Sequence, residues 1–226
     1  MVANVPDYCI EEVSDSAIAH ILNCVRKVSM ANSPLRRGEW EYAKIKPIHR
    51  FSEATVGLIA FGNIARRVAE KLHPFGVTLL VYDPYFTSKA QYHWGKFASL
   101  EEVLVQADIL SIHVPLTQDT RHLLSRAQFA RMKDGVILVN TSRDGLIEEA
   151  ALLEALESGK VSMVGLDVID LPDTDYAQSP LLNYPDRVII TPHIGWYSEE
   201  SIVKLQKKTA QNVYEVLKHG KPLYAV

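Results

Sequence analysis

The sequence predicts an α/β fold built on a doubly wound parallel sheet. Three observations predict it: six short β-branched runs recur between residues 55 and 190, helical patterns separate them, and a glycine-containing turn follows the first run. The runs lie near 55–60, 77–82, 109–113, 136–139, 162–166 and 188–190. They are continuously apolar rather than alternating, which fits strands covered on both faces.

In chain order, apolar residues first recur at Ile18, Ile21, Leu22, Val25 and Val28, a helical spacing within residues 10–30. Residues 31–52 are polar and contain Gly and Pro; they read as a connector holding a domain boundary, with Trp40 as its candidate anchor. The strand–helix rhythm then begins with ATVGLIAF, NIARRVAEKLHPF and VTLLVYD, and continues with SLEEVLVQA and DILSIHV. Ser125 is set to cap the helix that ends at Gly135, and Gly159 closes the helix that opens near Glu148. Glu148 and Glu149 are solvated charges favoured by the dipole of that helix. The last helix starts after Ser198 and stops before Gly220 and Pro222. There is no internal repeat.

The totals exclude several classes. The 226 residues are 47% hydrophobic, enough for a substantial core. A net charge of -3 with scattered basic residues gives no footprint for nucleic acid. No apolar run approaches the roughly 20 residues that span a bilayer, and no basic-then-apolar leader opens the chain. Cys9 and Cys24 form no metal-ligand pattern; they read as small apolar residues of a cytoplasmic, reducing compartment, with a disulfide between them as the alternative. No metal site is expected.

The turn after the first strand carries the chemistry. In Gly57-Leu-Ile-Ala-Phe-Gly-Asn-Ile-Ala65 a strand passes into a helix, where backbone amides can approach a pyrophosphate. A GxGxxG pattern asks for glycine at 60, 62 and 65; the chain has Ala60, Gly62 and Ala65. Alanine is tolerated at the third position, and the middle glycine, nearest the phosphates, is kept. Ala60 is the departure, since a methyl group in the tight turn is expected to push on the cofactor or distort the loop. Asp83 ends the next strand about 20 residues on, where a carboxylate accepts both ribose hydroxyls and repels a 2′-phosphate. NAD is therefore expected over NADP, in a Rossmann-type domain.

Further stretches carry a family resemblance: NVPDYCIEEVSDSAIAHIL, VGLIAFGNIA, VYDPY, HVPLTQDTRHLL, MKDGVILVNTSRDGLIEEAALLEAL, GLDV and TPHIGWYSEE. Together they resemble the D-isomer-specific 2-hydroxyacid dehydrogenases, with VSDSAIAHILN and WYSEE most similar to the C-terminal-binding-protein branch. The resemblance runs from about Val2 to Ala225. It implies an NAD-binding domain clasped by a substrate domain whose leading part is missing here, whether as a fragment, a truncated product or a mis-assigned start. The chain then divides into residues 1–31, an interdomain or dimer helix; 32–52, the connector; 53–196, the NAD-binding domain; and 197–226, a helix returning to the substrate domain.

The resemblance also assigns roles. Arg143 of NTSRDG, just past a strand, would anchor the substrate carboxylate with its planar fork. His193 of TPHIGW would act as general acid/base. The family's glutamate partner for that histidine falls on Pro172; a one-residue shift offers Asp173 instead, and Asp170 is also near. Asp167 corresponds to the residue near the nicotinamide carboxamide, with Val114, Pro115 and Thr141 lining the ring's pocket and Trp196 shaping the substrate end. Phe61, Asn63, Ile64 and Gly195 complete the expected cofactor contacts, and His113 ends a strand where its backbone can face the cofactor. The remaining histidines, His20, His49, His73, His93, His122 and His219, read as structural or surface residues. The expected activity is hydride exchange between nicotinamide and a small 2-hydroxy or 2-oxo acid, in a homodimer with helix 10–30 at its interface. A non-catalytic NAD(H)-responsive module and a truncated remnant are the alternatives, the first favoured by Pro172, Ala60 and the absent lobe.

Overall fold

The computed structural model describes residues 1–87, 92–169 and 176–226. Seven strands form one parallel sheet: β1 (Thr55–Ile59), β2 (Thr78–Tyr82), β3 (Lys96–Phe97), β4 (Ile109–Ile112), β5 (Val136–Asn140), β6 (Val161–Leu166) and β7 (Val188–Ile190). Their spatial order is β3-β2-β1-β4-β5-β6-β7. The six strands read from sequence are all present. The seventh, β3, is a two-residue edge strand too short to give a hydrophobic signal.

The chain leaves β1 in one direction to build β2 and β3, then returns to β1's other side to build β4 onward. Between β1 and β4 the direction of winding reverses, and in doubly wound sheets the ligand crevice forms at such a point, outside the strands' C-terminal ends. Pairing registers run Val56 to Ile109 and Ile59 to Ile112 on one side of β1, and Ile59 to Tyr82 on the other. The C-terminal ends of β1, β2 and β4 are therefore level.

Because successive strand residues point to opposite faces, each strand feeds two cores. On one face α1 (Ile10–Arg26) and α3 (Asn63–Leu72) cover Val56, Leu58, Ile109 and Val139. On the other α4 (Leu100–Gln106), α5 (Arg126–Arg131) and α6 (Glu149–Glu157) cover Leu110, Ile112, Leu138 and Val164. The helix ends follow the caps read from sequence. Ser125 and Ser198 form capping boxes, and Gly159 and Gly220 adopt positive φ at helix ends; the helix capped by Ser125 stops at Arg131, short of the expected Gly135, which turns the chain into β5 at φ +79°.

Two expectations change. Helix α1 buries Ala17 and Ile21 completely against α3 and the sheet, so it is a layer of this core and its apolar stripe is already used. Trp40 anchors nothing: it is 89% exposed. The helix expected over 10–30 is broken at Lys27, held at φ +53°, and its last residues belong to a second helix, α2 (Val28–Leu35), which runs into the connector with no buried residue. Cys9 and Cys24 are free thiols, not a disulfide. Burial pushes the Cys24 thiol up to about 12, so it is an inert apolar side chain.

The terminal helix α7 (Glu199–His219) is held by the chain's opening residues. Lys208 donates to Asp7 at 2.6 Å, and buried Asn212 donates to the Asn4 carbonyl while accepting from Leu223 N–H. Ala3 and Ala225 pair as an antiparallel bridge. Among the described residues no helix is long and apolar enough to cross a membrane.

Candidate active site

The crevice begins at the turn from β1 into α3. Gly62 is the N-cap of α3, with φ −71° and ψ −169°, and no side chain caps that end. The first amides of the helix are thus left for an outside acceptor. A Cβ built on Gly62 would meet nothing within 4 Å, so open space lies where a phosphate would approach. Asn63 and Ile64 form the first turn, and Ala65 is fully buried against the sheet.

Ala60 sits at φ +71°, the left-handed conformation that glycine adopts without strain. Its methyl group packs against the core on the α4 face. The departure from glycine is therefore accommodated by a strained backbone, with the methyl turned toward the core. Phe61 is buried among Phe86, Tyr92 and Phe97, all edge-on to it at 4.7–5.3 Å. Its role is packing by the side chain, while its N–H donates to Asp83 Oδ2 at 2.7 Å. The other Asp83 oxygen accepts from Tyr85 and Phe86 N–H. Asp83 is thereby locked beside the phosphate turn.

At the ends of β4 and β5 lie two buried polar atoms without a hydrogen-bond partner among the described residues, His113 Nδ1 and Thr141 Oγ1. Ile112 pairs with Asn140, so His113 and Thr141 are the next residues on adjacent strands, at the mouth of the crevice. Burial pushes His113 down to about 4, and it stays neutral, its Nε2 3.0 Å from Ser111 Oγ. Orphaned buried donors and acceptors on a cleft wall are what a bound polar ligand would satisfy. Val114 buries its side chain in the core and Pro115 is exposed, so this segment offers mainly backbone to the cleft.

The Arg143 turn is built by Asn140, fully buried, which donates to the Arg143 carbonyl and accepts from Ser142 N–H. Ser142 Oγ donates to Ile112 O, tying the turn to β4. Arg143 itself is exposed, and among the described residues it forms no ion pair. Among the described residues its side chain bonds only to the Ser142 carbonyl, at 2.6 Å.

His193 lies on the loop after β7, also exposed, at φ +52°. That loop is held by Asp167, which is 2% exposed. Asp167 Oδ1 accepts from Thr191 Oγ1 at 2.5 Å and from Ile194 N–H, and Oδ2 accepts from Gly195 N–H at 2.8 Å. A carboxylate has about four acceptor sites, so one remains for a ligand donor. Gly195 is different: its N–H is taken by Asp167, and what it supplies is close approach, since a Cβ there would lie 2.7 Å from Asp167 Oδ2.

Tyr8, a residue that sequence reading passed over, packs beside Trp196 within the electrostatic reach of Arg143. Its ring lies 6.4 Å from that of Trp196. Burial first, then a hydrogen bond with Cys9, raises its phenol, while the Arg143 charge pulls the other way. Thr191 and Asn140 were also missed; their only sequence signal is a small polar residue at a strand's end. Asp170, Pro172 and Asp173 lie outside the described residues. Away from this edge, a cavity of about 560 Å³ opens at the opposite end of the sheet, but its Lys133 and Asp108 are paired to each other at 2.7 Å.

Residues 18–195 match the D-isomer specific 2-hydroxyacid dehydrogenase NAD binding domain. The chain belongs to that family. NAD is the cofactor of this domain, and the doubly wound sheet is the family's fold. The hydroxypyruvate reductase of Thermotoga maritima is 37% identical over 218 residues, covering 96% of this chain and 70% of the reductase. The D-3-phosphoglycerate dehydrogenase of Methanocaldococcus jannaschii is 35% identical over 220 residues, 96% of this chain but 41% of that protein. A D-lactate dehydrogenase from Lactobacillus jensenii, solved with NAD+, superposes with a TM-score of 0.89 at 28% identity, covering all of this chain and 71% of the other. As a family member, the chain is an NAD-dependent oxidoreductase of the 2-hydroxyacid dehydrogenase type.

Proposed function

We propose that this 2-hydroxyacid dehydrogenase interconverts a small 2-hydroxy acid and its 2-oxo acid in the crevice between β1 and the loop after β7. The observation that carries the reading is Arg143: a guanidinium without an ion pair among the described residues, exposed at the same sheet edge as the open Gly62 turn. Its fork would take the substrate carboxylate bidentately. NADH, when bound, supplies the hydride. His193, exposed on a loop fixed by Asp167, would give its ring proton to the carbonyl oxygen as that oxygen gains charge. Trp196 and Tyr8 would close the substrate end. The amides of Gly62, Asn63 and Ile64 would receive the pyrophosphate, Asp83 the adenosine ribose, and Thr141 Oγ1 and Asp167 the nicotinamide end. On sequence alone we assign Asp173 as the carboxylate partner of His193.

The test is NADH oxidation with glyoxylate, pyruvate and hydroxypyruvate. Arg143→Ala is expected to lower kcat/KM by roughly two orders of magnitude or more while NADH affinity stays within about twofold. An unchanged kcat/KM removes Arg143 from the site. His193→Gln is expected to lower kcat by about 10²–10⁴.

A second reading, an NAD(H)-responsive regulatory module, is favoured by Pro172 at the place of the family's glutamate. Tight NADH binding without turnover on any 2-oxo acid selects it. We further infer a homodimer. Val28, Leu35, Trp40 and Tyr42 project exposed from the connector arm, apolar surface that a second copy would cover. The terminal helix, with Val203, Val213, Tyr214 and Leu217 exposed, is assigned to the substrate domain. The free thiols fit a cytoplasmic setting.

A further inference from the structure

Given the dehydrogenase reading, we propose that His20 is a positioning residue for His193, acting through Thr191 and Asp167. His20 is 5% exposed on α1, far from any solvent role, yet it is polar and lies over the C-terminal half of β6. The strand leaves room for it. A Cβ on Gly165 would stand 2.8 Å from His20 Cβ and 3.0 Å from its Nδ1, so only glycine admits the imidazole there.

The ring's Nε2 is 3.1 Å from Thr191 Oγ1. The Thr191 hydroxyl has one proton, and its 2.5 Å contact to Asp167 Oδ1 takes it. Nε2 must then be the donor and Thr191 Oγ1 the acceptor, which fixes the tautomer of His20. Burial lowers the imidazole's pKa, against the opposing charge of Asp167.

The relay ends in backbone. Asp167 accepts from Ile194 and Gly195 N–H, the two amides that follow His193, and His193 itself is held at φ +52°. A residue in that conformation persists where its surroundings over-determine it. Asp167 N–H in turn donates to Asn140 O, the residue that builds the Arg143 turn. One buried network therefore ties the loop bearing the proton donor to the turn bearing the carboxylate anchor, and His20 is its member from outside the sheet. Without the His20 donor, the Thr191 hydroxyl can turn toward Leu166 O, now 3.5 Å away, and Asp167 loses a donor.

The experiment compares the full chain with His20→Leu, which removes the donor, and His20→Gln, which restores one. In His20→Leu kcat is expected to fall at least about tenfold while the NADH dissociation constant stays within about twofold, and His20→Gln is expected to return kcat to within about threefold of the parent. Amide hydrogen exchange gives a readout independent of turnover: Ile194 and Gly195 should exchange at least about tenfold faster in His20→Leu and recover in His20→Gln, with the amides of α3 unchanged. A folded His20→Leu with parental exchange at Ile194 and Gly195 overturns the positioning role. If His20→Leu does not fold, Thr191→Val decides in the same way, since it deletes the middle of the relay. A parent that binds NADH but turns over no 2-oxo acid defeats the dehydrogenase reading only, and the exchange rates still decide for or against His20.

Discussion

One oxygen of the Asp83 carboxylate accepts the N–H of Phe61 at 2.7 Å, so the end of β2 holds the phosphate turn at the end of β1. The second oxygen gathers Tyr85 and Phe86 N–H. Asp83 is thus both the expected ribose acceptor and the brace of the loop it works beside.

Replacing Asp83 by Ala removes an acceptor from three amides. A hydrogen bond to a charged group contributes about 1.5–3 kcal/mol, so NADH affinity should fall by at least about tenfold, the equivalent of about 1.4 kcal/mol. Fluorescence titration with NADH checks this. An unchanged dissociation constant would show that Asp83 neither braces the turn nor meets the cofactor.

Ala60 at φ +71° predicts an asymmetry between two small substitutions. The left-handed conformation costs an L-residue about 1–2 kcal/mol, and glycine escapes it while giving back about 0.4–1 kcal/mol through a more flexible unfolded chain. Ala60→Gly should therefore hold or slightly raise the melting temperature. Ala60→Val, with a β-branched residue in the same conformation, should lower it. A melting temperature that drops in Ala60→Gly and not in Ala60→Val would contradict the strained turn.

His113 makes stability depend on acid. Its folded pKa is about 4 against an ordinary 6.5, because burial disfavours the charged ring. Between those values the unfolded chain binds a proton that the folded chain refuses, so stability rises with pH across the window and is lost as pH falls from about 6.5 toward 4. The full effect is roughly 3 kcal/mol. Denaturation midpoints measured from pH 7 to pH 4 should drop less steeply in His113→Asn than in the parent; parallel slopes would assign the acid sensitivity to other groups.

The six long strands and the helix caps were legible because their signal is local. Val136–Asn140 is a continuous apolar run, and Ser198 stands where a helix needs an acceptor. The positions of Gly62, Asp83, Arg143 and His193 just past strands were legible for a related reason, whereas the roles proposed for Arg143 and His193 came from the family resemblance and not from periodicity. What stayed hidden is set by tertiary contact. His20 looks like any helical histidine until Gly165, 145 positions along in another element, is seen to make room for it. The strain at Ala60 is a backbone angle that composition does not encode. Helix α1 carries an apolar stripe that would suit a partner chain equally well, and only the packing reveals that its own sheet has taken it.

Gly195 supplies a steric prediction. A methyl group there would lie 2.7 Å from Asp167 Oδ2 and 3.1 Å from Ser16 Oγ. Since the first neighbour is a buried carboxylate with its other bonds fixed, the loop must give way. Gly195→Ala should lower kcat at least about tenfold, with a smaller change in NADH affinity. Equal losses in both would mean that the whole domain, and not the His193 loop, had been disturbed.

The antiparallel bridge between Ala3 and Ala225 lays Val2 beside Val226, whose N–H donates to Val2 O at 3.1 Å. The opening residues and the close of α7 therefore stand or fall together: a substitution that frees Ala3 also frees Ala225 and the Asn212 side chain that holds both segments.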